Sequence, residues 1–206
     1  MLKIESMHFY KTIFVLLIMF TNSKLFSYEE GIALNGDLEI YYRDYGPKDA
    51  EPILLVQGIG GQLINWPEHL IDFLLENNFR PIVYDNRDTG LSSRIPSDSF
   101  SDAKRDNTIV RNYIRYYLRL PIKSDYTLDD MAVDGISVLD KLDISEAHIL
   151  GISMGGMIAQ IIVSSHPERT KTFTLISSTA STPSPFNGPT RKVRKLLMNR
   201  TKNPNS

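Results

Sequence analysis

The stretch HILGISMGGMIAQ, residues 148–160, decides the fold. An apolar run at residues 149–152 leads into GISMG at residues 151–155, and a helical pattern follows at once. This is the G-x-S-x-G pattern in a strand–turn–helix context, in which a sharp bend raises a serine hydroxyl above the end of a strand. Side chains in place of Gly151 and Gly155 would clash across such a bend, so we expect glycine to be required at both positions.

Ser153, at the centre of this bend, is the candidate nucleophile. The helix after the serine points its N-terminus at the hydroxyl, where it favours developing negative charge. The backbone N–H of Met154 is therefore a candidate donor to an oxyanion. The alternative interpretation is a glycine-rich helix start that only packs tightly.

A second glycine-rich sequence supports the first. QGIGG at residues 57–61 follows an apolar run at residues 53–56. A loop of this kind, beginning at Gly58, should supply the other oxyanion donor from the backbone N–H of Ile59. The side chain of Gln57 can form hydrogen bonds and brace this loop. A plain tight turn is the alternative interpretation.

The rest of the chain alternates between predicted strands and helices. Residues 32–34 and 38–42 flank Asn35-Gly36, which predicts a hairpin turn. Near-continuous apolar runs, typical of strands buried on both faces, lie at residues 53–56, 82–84, 149–152 and 173–176.

Three helices are predicted between these runs. The first has its apolar positions at Trp66, Leu70, Phe73 and Leu74. Thr127 and Asp130 form a capping box that opens the second, whose apolar face is Leu128, Met131, Ala132, Val138, Leu139 and Leu142. The third covers residues 154–165. Strand–helix alternation predicts an α/β fold with a mostly parallel sheet and helices on both faces.

Composition excludes several classes of protein. The 206 residues are 42% hydrophobic and 23% charged, which excludes a disordered or collagen-like chain. The net charge of −1 gives no reason to expect a nucleic acid as partner. The chain has no cysteine, which excludes disulfides, thiolate nucleophiles and cysteine-based zinc sites.

The first 27 residues have the pattern of a signal peptide. Lys3 and Lys11 precede an apolar run at residues 12–20, and Ser23 and Ser27 follow it as small residues near a cleavage point. The run is far shorter than the roughly 20 residues that span a bilayer, so we expect no stable membrane span. We therefore predict export to the periplasm or the medium. An uncleaved membrane anchor and a wrongly assigned start codon remain the alternatives.

Two further segments have less distinctive patterns. Residues 96–126 form an insertion with an amphipathic helix that carries Arg111, Arg115 and Arg119 at helical spacing. A nucleic-acid surface is the alternative to a solvated basic face there, and we favour the solvated face. Residues 181–206 are predicted to be the start of a cap segment with a disordered basic tail.

Five segments together resemble the α/β-hydrolase fold family, and in particular the aclacinomycin methylesterase-like hydrolases. They are VQGIGGQLINWPEHL, VYDNRDTGLSS, YTLDDMAVDGISVLDKLDI, HILGISMGGMIAQIIVSSHPERT and LISSTAS. The resemblance covers residues 31–180, within a predicted core domain of residues 28–180. It implies Ser153 as nucleophile, and the N–H groups of Ile59 and Met154 as the oxyanion hole. It also implies a small-molecule ester as substrate and neither a metal nor an organic cofactor.

The family also requires an acid and a histidine after the nucleophile in chain order. The only histidine after Ser153 is His166 and the only acid is Glu168, at the end of the following helix, where neither should reach the hydroxyl. Earlier in the chain, Asp88 is expected to build a turn and His148 to precede the strand. Two more strand–helix units, at about 30 residues each, would not fit after residue 180.

We therefore expect a shortened serine hydrolase that stops after about strand six and has weak or no activity. Strand six, at residues 173–176, would then be an exposed apolar edge that invites self-association. A non-catalytic protein that binds small molecules and a non-functional gene fragment are the alternatives.

Overall fold

The computed structural model describes residues 27–96, Arg115, Leu120 and residues 124–179. Residues 1–26 of the predicted signal peptide, most of the 96–126 insertion and the 181–206 tail lie outside the described residues, so those interpretations stay predictions. In the part of the chain that is described, no helix is both long and apolar enough to cross a membrane.

The described elements form a six-stranded sheet in the order β1-β2-β4-β3-β5-β6. The strands are β1 (Tyr28–Asn35), β2 (Leu38–Tyr45), β3 (Glu51–Val56), β4 (Phe79–Tyr84), β5 (Ala147–Ile152) and β6 (Thr170–Ile176). The α-helices are α1 (Glu68–Glu76), α2 (Leu128–Lys141) and α3 (Met154–Ser165). Short 3₁₀ turns lie at Leu63–Asn65 and Pro167–Arg169.

The predicted hairpin forms, but its turn is one residue later than expected. Asn35 still belongs to β1 and pairs with Leu38, so the two-residue loop is Gly36-Asp37 rather than Asn35-Gly36. Gly36 has a φ of 61°. Glycine takes this left-handed conformation without a steric penalty, and it is the residue favoured at the first position of such loops.

The four strands β4, β3, β5 and β6 are parallel, which confirms the predicted α/β fold with a mostly parallel sheet. β3 lies inside the sheet, and Leu54, Leu55 and Val56 are fully buried. The apolar run at residues 53–56 reflects this burial on both faces. Because parallel strands share a direction, the carboxyl ends of β3, β4 and β5 meet at one edge of the sheet.

Helices cover both faces of the sheet, as predicted. On one face α2 and α3 pack over a core that includes Leu54 and Ile82. On the other face α1 packs over Leu55 and Val83. Neighbouring residues of a strand, such as Leu54 and Leu55, face different cores because successive side chains point to opposite faces of the sheet.

The capping box of α2 is present. The Asp130 N–H donates to Thr127 Oγ1 at 3.3 Å, and the Thr127 N–H donates to Asp130 Oδ2 at 2.7 Å. The predicted apolar face of α1 is partly wrong, because Phe73 is 59% exposed and Ile71 is buried in its place. Trp66 packs into the same core from just before α1.

β6 is an edge strand of the described sheet, and β5 is its partner there. Its apolar side chains Phe173, Leu175 and Ile176 are exposed within the described residues. The exposed apolar edge that the sequence predicts is therefore present in this part of the chain. Self-association through it stays a prediction.

A buried ion pair ties the antiparallel part of the sheet to the parallel part. Arg80 on β4 donates through Nε and Nη2 to the two carboxylate oxygens of Asp44 on β2, at 2.8 and 2.7 Å. Both residues are buried. The carboxylate of Asp44 raises the pKa of Arg80 above its usual value, chiefly through these hydrogen bonds.

Removing one partner of this pair should destabilise the protein strongly. We expect Asp44→Ala to lower the free energy of unfolding by about 3 to 5 kcal/mol, because it leaves a buried guanidinium without its carboxylate. Urea denaturation followed by circular dichroism measures the change. Glu29→Ala, which breaks the exposed pair with Lys48, is the matched control and should leave the urea midpoint unchanged. Equal effects of the two substitutions would contradict this assignment.

Candidate active site

Ser153 occupies the bend between β5 and α3 in a strained backbone conformation. Its φ is 55° and its ψ is −121°, and its side chain is exposed. A non-glycine residue held there costs about 1 to 3 kcal/mol, which the surrounding structure must supply. The Ser153 N–H donates to the Ile176 carbonyl at 2.9 Å, and Ser178 Oγ donates to the Ser153 carbonyl at 2.7 Å. The end of β6 thus holds the bend.

The glycines of the bend are required by close backbone packing, as predicted. A Cβ on Gly151 would overlap the carbonyl oxygen of Gly155. A Cβ on Gly155 would overlap the carbonyl oxygen of Val56, at the end of β3. The first turn of α3 therefore lies directly against the carboxyl end of the neighbouring strand.

The glycine-rich loop after β3 lies beside Ser153. A Cβ on Gly58 would be 3.1 Å from Ser153 Cβ and 3.6 Å from Ser153 Oγ, so no side chain fits between them comfortably. Neither the Ile59 N–H nor the Met154 N–H donates a hydrogen bond to any described residue. The structure thus brings together the two candidate oxyanion residues and the candidate nucleophile that the sequence singled out.

Ile59 and Met154 line a cleft of about 550 Å³, and Ser153 directly precedes Met154 in the chain. Its apolar lining comes from Ile59, Tyr126, Leu128, Met131 and Met154, and its polar lining includes Arg87, Asp88, Thr89 and Thr127. Burial, together with a hydrogen bond to Asp88, raises the pKa of Tyr126 to about 12, so its phenol stays neutral in the physiological range.

The turn after β4 supports the glycine-rich loop. Asp85 is 2% exposed, and its carboxylate accepts the N–H of Leu63 at 2.7 Å and the N–H of Leu91 at 2.9 Å. Asp88 has a φ of 64° and accepts the N–H of Ile95 at 2.7 Å, which agrees with its predicted part in building the turn. The sequence did not predict this hydrogen bond between Asp85 and the segment that follows β3.

Sequence reasoning also missed the buried pair of Arg87 and Asp134. Arg87 donates through Nε and Nη2 to the Asp134 carboxylate, at 2.6 and 2.7 Å, and this pairing raises the pKa of Arg87. The pair joins the turn after β4 to α2. A signal was present, because Asp134 follows Met131 by three residues and precedes Val138 by four, which places a carboxylate on the apolar face of the helix.

His148 and His166 lie away from the bend. His148 is the second residue of β5, about 16 Å from Ser153 at the usual rise of a strand, and its Nδ1 contacts Thr172 Oγ1 at 2.7 Å. His166 follows the last residue of α3 and faces Glu168 at 3.8 Å. A helix of this length separates it from Ser153 by about 18 Å. Among the described residues, no histidine forms a hydrogen bond with Ser153.

Known proteins are similar to this chain in sequence and in fold. A family model described as "alpha/beta hydrolase fold" matches residues 51–205. The chain is 30% identical over 158 residues to rhodomycin D methylesterase DnrP of Streptomyces peucetius. The aligned region covers 77% of this chain and 41% of that protein. It is 26% identical over 141 residues to the putative carbamate hydrolase RutD of Variovorax paradoxus, covering 68% of this chain and 43% of that protein.

A solved structure has the same fold. The 2-hydroxy-6-oxo-6-phenylhexa-2,4-dienoate hydrolase of Rhodococcus sp. strain RHA1 superposes with a TM-score of 0.61 at 20% identity, over 85% of this chain and 54% of that one. The matched regions span less than half the length of the two curated relatives. The methylesterase relative confirms the resemblance drawn from the sequence, and the chain belongs to the α/β-hydrolase fold family.

Proposed function

We propose that this chain carries the nucleophile and the oxyanion hole of a serine hydrolase that cleaves small carboxylic esters. The observation that carries the proposal is the strained positive φ of Ser153 at the end of β5, with its side chain exposed beside the Gly58 loop. Strain of this kind is kept where the surrounding structure holds a group in place for function.

The proposed reaction is acyl transfer. Ser153 Oγ attacks the ester carbonyl, and the oxygen that becomes negative accepts hydrogen bonds from the N–H groups of Ile59 and Met154. The alcohol leaves, and water then releases the acid from the acylated serine. The N-terminus of α3 adds a favourable field for the negative oxygen.

The cleft supports a small ester as substrate. Its apolar side chains suit the uncharged groups on either side of an ester bond, and the polar residues Thr89 and Thr127 can orient it. The relative from Streptomyces peucetius is named a methylesterase, and that name favours an ester over other acyl compounds.

The attack also needs a base that takes the proton of Ser153 Oγ. His148 and His166 are held at the far ends of β5 and α3, and no described histidine forms a hydrogen bond with the serine. We therefore propose that the 206-residue chain by itself has weak or no turnover, and that Ser153 reacts slowly. The same observation favours a second candidate, a protein that binds small esters in the cleft without cleaving them.

A serine-directed reagent tests the nucleophile. We expect a fluorophosphonate to form a slow, single adduct on Ser153, located by mass spectrometry of peptides, since the oxyanion hole can still polarise the reagent. Ser153→Ala should abolish the adduct. Ser164→Ala, a matched change on the exposed side of α3, should keep it. An adduct on another serine of the folded chain would refute the assignment.

Added imidazole tests the missing base. We expect the rate of Ser153 modification to rise in proportion to the concentration of added imidazole, since imidazole can act as the general base that no described histidine supplies. The rate should follow the fraction of neutral imidazole, rising most steeply near the imidazole pKa of about 6.5 and levelling off at higher pH. If the folded chain binds the ester analogue but imidazole produces no adduct, the binding-only function is correct instead.

A further inference from the structure

The peptide group between Gln57 and Gly58 lies directly before the Ile59 residue of the proposed oxyanion hole. Both of its polar atoms are held. The Gly58 N–H donates to the Gln57 side-chain Oε1 at 3.2 Å, and the Gln57 carbonyl oxygen accepts from Asn86 Nδ2 at 3.1 Å. Because a peptide group is planar and rigid, hydrogen bonds to both of its polar atoms resist its rotation, and the backbone that follows starts from a defined direction.

The first turn of α3 confines the same carbonyl from another side. A Cβ on Gly155 would be 2.5 Å from the Gln57 carbonyl oxygen, closer than real Cβ contacts allow. The carbonyl is therefore enclosed between the backbone of the nucleophile bend and the side chain of Asn86. A rotation of this peptide would drive its oxygen into Gly155 or away from its hydrogen-bond donor.

Asn86 is a buried polar side chain with a single described partner. It is 1% exposed, and its Oδ1 has no hydrogen-bond partner among the described residues. A buried acceptor left without a partner destabilises a fold, so an asparagine here calls for an explanation other than packing. The hydrogen bond to the Gln57 carbonyl supplies one. The Asn86 backbone is itself fixed, because its carbonyl accepts the Thr89 N–H at 3.0 Å.

We propose that Asn86 is a positioning residue for the oxyanion hole: its side-chain amide holds the Gln57 carbonyl and thereby directs the Ile59 N–H toward the ester carbonyl oxygen that becomes negative when Ser153 Oγ attacks. This inference rests on the proposed function. Asn86 is not among the residues that line the cleft, and its side chain donates to the Gln57 carbonyl rather than to Ser153, so it acts through the peptide group that it holds.

Two substitutions distinguish the positioning role of Asn86 from a role in packing alone. Asn86→Asp keeps the shape but replaces the donor with a carboxylate oxygen that repels the Gln57 carbonyl. Asn86→Leu keeps the number and branching of the side-chain heavy atoms and removes both the donor and the unpartnered acceptor. We expect both to lower the limiting rate of Ser153 phosphonylation, with imidazole present, about tenfold or more while the half-saturating reagent concentration stays unchanged. Asn78→Asp, in an exposed turn at the other end of β4, is the matched control and should match the unsubstituted chain.

The pH dependence gives a readout that lost packing would not move. A protonated carboxyl has an O–H that can donate to the Gln57 carbonyl. The rate of Asn86→Asp relative to the unsubstituted chain should therefore rise toward one as the pH falls, while the same ratio for Asn86→Leu stays flat. If Asn86→Asp does not fold, Asn86→Leu decides the question through its limiting rate.

Amide NMR of the full chain distinguishes failure of this inference from failure of the proposed function. The Ile59 N–H resonance should shift in both Asn86 variants and stay in place in Asn78→Asp, whether or not Ser153 reacts. Absence of any Ser153 adduct in the unsubstituted chain would overturn the hydrolase proposal. An unchanged Ile59 resonance, or an unchanged limiting rate in both Asn86 variants, would overturn the assignment of Asn86.

Discussion

The pairing of Val56 with Gly151 in the parallel sheet is the constraint on which the site depends. This register brings the carboxyl end of β3 level with the start of the bend, so the first turn of α3 meets the strand end with no room for a Cβ on Gly155. A larger residue at Gly155 would separate the two strand ends. The bend would then move away from the loop at Gly58, which lies beside Ser153.

The turn after β4 is the second organising element, because three consecutive side chains reach three different parts of the fold. Asp85 holds the Leu63 N–H, Asn86 holds the Gln57 carbonyl, and Arg87 pairs with Asp134 on α2. All three side chains are buried, so each hydrogen bond forms where water cannot compete for it. The turn therefore couples the helix that lines the cleft to the loop that carries Ile59.

Local patterns predicted most of the fold. The apolar run at residues 53–56 predicted a buried strand and the capping box at Thr127 predicted the start of a helix, and both predictions are confirmed. Each pattern lies within a few consecutive residues, so the sequence displays it directly. The hairpin turn was displaced by one residue, and Phe73 was placed in the core although it is exposed. Both errors are shifts of one or two positions along the chain. The strand register decides which residues form the turn, and the surface against which α1 packs decides which of its side chains are buried.

By itself the sequence determined the class of the fold and the residue at the centre of the bend, since GISMG after an apolar run requires a sharp turn that only glycines permit. Tertiary structure alone decided what Asp85, Asn86 and Arg87 do in the turn after β4. Asn86 and Gln57 are 29 positions apart, and Arg87 and Asp134 are 47 apart. No local pattern joins residues so distant, because their contacts exist only after parallel pairing has brought the ends of β3 and β4 to one edge of the sheet.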